Sequence, residues 1–189
     1  MRKPMIALFL MVLSMLVLGC DPAPHRTPLD ALTEPLGKVA PPYRDTIRVL
    51  STQDLPDANG VVLLYRWQTA TTQAEDTFCL ASTFVTFEQS RWQAQSTGYF
   101  VGPSLSQPAC NLSYSTPLRA SYYQAGQHTI VYGVSNKGNH IQVVWSDGIT
   151  MMAPIDQGAF LVLRPGNWHL AQVAVVDDQE WVINRNCES

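Results

Sequence analysis

Ile141-Gln142-Val143-Val144-Trp145-Ser146-Asp147-Gly148-Ile149-Thr150-Met151-Met152-Ala153 decides the fold class. Ile141–Ser146 is rich in β-branched and aromatic residues, which favour a pleated, half-buried surface. Asp-Gly is among the strongest short hairpin signals, because glycine takes the positive φ that a type I′ turn requires. Thr150–Ala153 then pairs back. A hairpin at this point makes the surrounding sequence read as antiparallel β.

Working outward, the same signals recur at short intervals. Thr129–Val134 reads as a strand and Asn136-Lys137-Gly138-Asn139 as a tight turn. Ala159–Leu163 is a strand closed by Pro165-Gly166-Asn167. Trp168–Val176 and Trp181–Ile183 form a last hairpin around Asp177-Asp178-Gln179-Glu180. On the other side, Asn59-Gly60 marks a turn. Val61–Trp67, Phe78–Phe87 and Trp92–Val101 follow as strands, and Pro103–Pro108 as loop. No comparable window carries a sustained 3.6-residue apolar period. The expectation is an all-β fold, an antiparallel β-sandwich or open barrel, over residues 59–189. It divides into subhalves 59–118 and 119–189.

Residues 20–58 read as a tether. Seven of the thirteen prolines fall there, and proline removes a backbone donor that sheets need. Such a stretch is extended and semi-rigid, able to hold a domain away from a membrane. Tyr43–Leu50 alternates enough to form a strand or short helix that packs on the domain. Residues 1–19 have the anatomy of an export signal, expected as a helix. Arg2 and Lys3 are followed by an apolar run through Leu18, too short for a comfortable membrane span.

The end of that run, Val17-Leu18-Gly19-Cys20, resembles the lipobox of bacterial lipoproteins. The resemblance implies a diacylglycerol thioether on Cys20, cleavage before it, and a membrane partner through the lipid. The domain would then lie outside the cytoplasm in a bacterial cell envelope. Asp21 matches a residue that favours inner-membrane retention in some lipoproteins. A second resemblance covers residues 127–185. Val131-Tyr132-Gly133-Val134, Ile141-x-Val143-Val144-x-x-Asp147-Gly148 and Gly158-Ala159-Phe160 are similar in rhythm to transthyretin-like and carboxypeptidase-regulatory β-sandwiches. That resemblance implies a small sandwich and no activity.

Composition excludes some partners. Charged residues are 14% of the 189, and the net charge is −3. No basic run occurs after the first three residues, so the electrostatic footprint of a nucleic-acid binder is missing. Beyond Cys20 the cysteines are Cys79, Cys110 and Cys187. Export predicts one disulfide. Cys79–Cys110 is favoured because both lie within or beside strands of one half; the alternative ties the tail to the domain through Cys187.

The catalytic search returns little. His25, His128, His140 and His169 are scattered, with no zinc spacing. Gly-x-Ser-x-Gly and phosphate-loop patterns are missing, and no cofactor is expected. Asp177, Asp178 and Glu180 could offer oxygens to Ca²⁺ but read more simply as a solvated turn. Asn111-Leu112-Ser113 matches a glycosylation acceptor that would be idle in a bacterium. Tyr122 and Tyr123 are the candidate binding residues, since neighbours in a strand point to opposite faces and aromatics dominate binding hot spots. The expected function is non-enzymatic: a β-sandwich presented for a protein or cell-wall component. An envelope enzyme or accessory subunit would need a cleft with converging His and carboxylate groups. A carrier of a small apolar ligand would need a large apolar pocket.

Overall fold

The computed structural model describes residues 27–32, 46–68, 77–99, 110, 112–177 and 181–182. The export signal, Cys20, His25, Pro103–Pro108, Asn111, Asp178–Glu180 and Cys187 lie outside the described residues.

The fold is all-β and antiparallel, in three stacked sheets. The front sheet is a meander of β1 (Arg48–Leu55), β2 (Gly60–Trp67), β3 (Thr77–Glu88) and β4 (Arg91–Tyr99), with β5 (Leu112–Ser113) paired to the start of β3. The middle sheet joins β6 (Arg119–Ala125), β7 (His128–Val134) and β10 (Ala159–Pro165) in the order β10-β7-β6. The back sheet holds β8 (His140–Trp145), β9 (Thr150–Pro154), β11 (Leu170–Val176) and β12 (Trp181–Val182), in the order β12-β11-β8-β9.

Three apolar layers separate and cover these sheets. Val62, Leu64, Leu80 and Phe84 of the front sheet meet Ile130, Tyr132 and Leu161 of the middle sheet. On the other face of the middle sheet, Val131, Phe160 and Val162 meet Ile141, Val143, Trp145 and Val173. The outer face of the front sheet carries Val61, Leu63, Tyr65, Trp67, Cys79, Ala81 and Val85. Ala31 and Leu32 lie against it, the latter fully buried.

That covering segment belongs to the stretch expected to be tether, as does β1. The reason is local. No proline interrupts the chain between Pro42 and Pro56, so β1 can pair with β2 from Arg48↔Arg66 to Leu55↔Gly60. At Asp30–Leu32 a 3-10 turn forms, closed reciprocally in the manner of a capping box. Thr27 N and Oγ1 donate to Asp30 Oδ2 (2.9 and 2.8 Å), and Asp30 N donates back to Thr27 Oγ1 (3.3 Å).

The strand expectations are met in the back and middle sheets, but two turns differ. Asp147-Gly148 does not form a two-residue I′ turn. β8 and β9 pair as far as Val144↔Thr150, and Trp145 N donates to Ile149 O. The loop is therefore three residues, Ser146–Gly148, with only Gly148 at positive φ (82°). The I′ pattern appears instead at Gln89-Ser90, where both residues have positive φ (51° and 65°) between β3 and β4. β6 was anticipated only through Tyr122 and Tyr123, whose opposite faces presuppose a strand, and not in its bounds.

The front sheet is fixed by more than apolar packing. Cys79 and Cys110 form a disulfide across 31 residues of sequence. On the same face a hydroxyl chain runs from Tyr65 to Thr83 (3.0 Å) and on to Thr97 (3.0 Å). Most buried polar groups are hydrogen-bonded in this way.

Candidate functional site

Among the described residues, a groove opens where the front and middle sheets meet, at the β3–β4 and β6–β7 end. It is a shallow, open groove of about 350 Å³ lined by Ala58, Phe84, Thr86, Glu88, Gln95, Ser96, Gln124, Ala125 and Gly126. Alternation along β3 sends Phe84, Thr86 and Glu88 to this side. Gln95 arrives by another route. Phe84 pairs with Ser96 but Val85 pairs with Ala94, so Gln95 is the extra residue of a β-bulge. Bulges re-aim side chains in this way. Its amide Nε2 donates to Thr86 Oγ1 (2.7 Å) and to Glu88 Oε1 (3.3 Å). Thr86 Oγ1 donates to Glu88 Oε1 (3.0 Å). Beside this chain the Ser96 hydroxyl is buried without a hydrogen-bond partner.

The arrangement offers hydroxyls, amides and one carboxylate above an apolar floor, Phe84 and Ala125. It suits a polar, mostly uncharged ligand. It holds no nucleophile paired with a base. Among the described residues no group of three His, Cys, Asp or Glu side chains could hold a metal.

Tyr123 lies at the seam between the two sheets. Its ring lies against Gly98 of β4, and its hydroxyl shares a hydrogen bond with Ser82 of β3 (3.1 Å). This tyrosine therefore bridges the edge of the middle sheet to the front sheet. Burial pushes its phenol well above the ordinary range, against the opposing effect of the Ser82 hydrogen bond. Tyr122 points the other way, into the core shared with the back sheet. Both are half-buried. The opposite orientations are as expected; because the middle sheet is packed on both faces, neither ring stands free on the surface.

A second polar cluster sits on β10, level with the β6–β7 turn, where Arg164 and Gln124 both pair with Thr129. Arg164 of β10 donates from both terminal nitrogens to Asp147 (2.9 and 2.6 Å). Its guanidinium lies 3.9 Å from the Trp168 ring centre and 5.4 Å from that of Trp145. Asp147 also accepts from the Ile149 backbone N (3.1 Å). The Arg164 hydrogen bonds hold the Asp147 carboxyl at about 2, and Asp147 raises Arg164 in turn. The guanidinium is committed to a carboxylate and two rings, so the cluster reads as a structural clamp between β10 and the β8–β9 loop.

The histidines do not converge. His128 is buried, with Nε2 3.5 Å from Asp57 Oδ2. His140 is bonded through Nδ1 to Asn139 Oδ1 (2.9 Å), and His169 is exposed. Asp177 is exposed at the end of β11. Sequence reasoning missed Thr86, Glu88, Gln95, Ser96 and Gln124. Nothing in the sequence marks them, because Gln95 reaches the group only through the bulge. No family model, curated protein or solved structure matches the chain.

Proposed function

We propose that this chain is an exported bacterial lipoprotein, anchored through a lipid on Cys20, whose β-sandwich binds a cell-wall glycan at the groove. The observation that carries the binding reading is the Thr86–Glu88–Gln95 chain beside the unpartnered Ser96 hydroxyl, set over Phe84. Glu88 and Gln95 are exposed at the groove, so a ligand hydroxyl entering it can bond to them. Sugars supply such groups in both donor and acceptor roles, together with an apolar face for the floor. The lipobox string Val17-Leu18-Gly19-Cys20 supports the anchor, and the Cys79–Cys110 bridge suits an oxidising compartment.

The carrier reading fares less well, because the space between front and middle sheets is filled by Leu64, Leu80, Phe84, Ile130 and Tyr132. Two measurements test the proposal. Purified protein should co-sediment with isolated cell-wall sacculi, and Gln95→Ala with Ser96→Val should weaken this several-fold while leaving the melting transition in place. Equal sedimentation of both proteins would overturn the groove as the site. Labelled palmitate should enter the wild type and not Cys20→Ala; labelling of both would refute the anchor.

A further inference from the structure

We infer that the outer face of the front sheet, with the strap Thr27–Leu32 laid across it, is seated against the bilayer that anchors Cys20. The inference rests on the lipidation reading above and adds an orientation to it.

Three observations carry it. The first is that the strap is docked. Ala31 and Leu32 are 2% and 0% exposed and belong to the apolar layer of that face. The Thr27–Asp30 bonds close the turn that presents them.

The second is reach. Seven residue steps separate Cys20 from Thr27. Fully extended, they span at most about 25 Å. A domain of this size is on the order of 35 Å across. A lipid-bearing Cys20 sits at headgroup level, so the side that holds Thr27 cannot be the far side.

The third is what that side exposes. Val49 pairs with Tyr65, and Phe87 follows Val85 at the two-residue period, so both share the face of Tyr65 and Val85. Val49 and Phe87 are each 40% exposed, and Leu29 on the strap itself is 42% exposed. Trp92 packs on Phe87 with ring centres 5.2 Å apart and is half-buried in the same layer. Aromatic and aliphatic groups in this position sit well at the boundary of headgroups and acyl chains. They supply a second contact alongside the lipid, which makes anchorage firmer than the acyl chains alone.

The test uses the full-length protein in its own cells. A photo-reactive benzoylphenylalanine replaces Phe87 in one strain and Met152 in another. Met152 is 51% exposed on β9 of the back sheet, on the side that would face away. After irradiation, phospholipid attached to the protein is counted by radiolabel, and palmitate incorporation is followed in parallel. Several-fold more phospholipid at position 87 than at 152 is expected. Equal, low attachment at both positions with palmitate intact would overturn the seating while leaving the lipid anchor standing. Capture of a protein at position 87 in place of lipid would also overturn it. Loss of palmitate would remove the anchor and the seating together. The same reagent at Leu29 keeps the test available should position 87 not tolerate the substitution.

Discussion

The front and back sheets solve the same problem with different means. β8 alternates between buried Ile141, Val143 and Trp145 and half-exposed His140, Gln142 and Val144. One face meets the core, the other meets solvent, and the two-residue period is written plainly in the sequence. β2 is buried at nearly every position, and β3 is buried from Phe78 to Thr86. A sheet covered on both faces loses that period, because apolar side chains are wanted on each. It also needs ways to satisfy and fix what lies inside. Here these are the disulfide, the Tyr65–Thr83–Thr97 hydroxyl chain and the strap. The back sheet manages with a clamp at one corner, Arg164 on Asp147.

The comparison breaks most visibly at the disulfide. Replacing Cys79 and Cys110 together by alanine frees a loop of 31 residues of sequence separation, which should lower stability by about 3.5 kcal/mol in the chain-entropy description. Urea unfolding gives the total. Amide exchange gives the distribution: protection should fall first in β2 and β3 and last in β8. Equal loss in both sheets would show one cooperative unit in place of two differently fixed regions.

The next effect lies at the seam between front and middle sheets. A methyl group on Gly98 would overlap the ring of Tyr123. Gly98→Ala should cost about 2 kcal/mol through overpacking. In a Tyr123→Ala background the same change should cost much less, a coupling read from the double-mutant cycle. Additive costs would mean that Tyr123 does not hold the seam.

These differences explain what could be read from the sequence. Strand positions were legible almost throughout, including the β8–β9 hairpin, because β-branched and aromatic runs bounded by turn residues survive in both kinds of sheet. The Cys79–Cys110 pair was legible as the favoured bridge of several. Layering was not. β6, Arg-Ala-Ser-Tyr-Tyr-Gln-Ala, has too little apolar patterning to announce a strand, since its two tyrosines serve two different cores. The I′ turn at Gln89-Ser90 carries no glycine or asparagine, so it sends no turn signal. The groove was illegible for a further reason: a bulge shifts the register by one residue and only the ladder reveals it.

A smaller effect separates strain from packing in the back sheet. Gly148 has φ of 82° with nothing within 4 Å of where a side chain would begin. Gly148→Ala should cost about 1 kcal/mol from backbone conformation alone. The contrast with Gly98→Ala, where space decides, is measured in the same urea titration. A cost equal to that at Gly98 would mean that the two turns and seams are not distinguished by packing.

The smallest effect concerns the clamp and is confined to one pH window. Asp147 titrates at about 2 in the folded chain, against 3.8 ordinarily, because Arg164 hydrogen-bonds its charged form. A carboxyl lowered in this way contributes stability that is complete above its unfolded value. As pH falls below about 4, the unfolded chain binds a proton that the folded chain refuses. Stability then falls, and the contribution is gone once the folded group is protonated near 2. Asp147→Asn should therefore be less stable than the wild type at neutral pH, with the gap closing between about 4 and 2. The Asp147 side chain is 29% exposed, so solvent screens the pair and the gap should be the least of the four. A gap that stays constant through that window would show that Asp147 acts by shape and hydrogen bonding to Ile149, and that its charge is incidental to the back sheet.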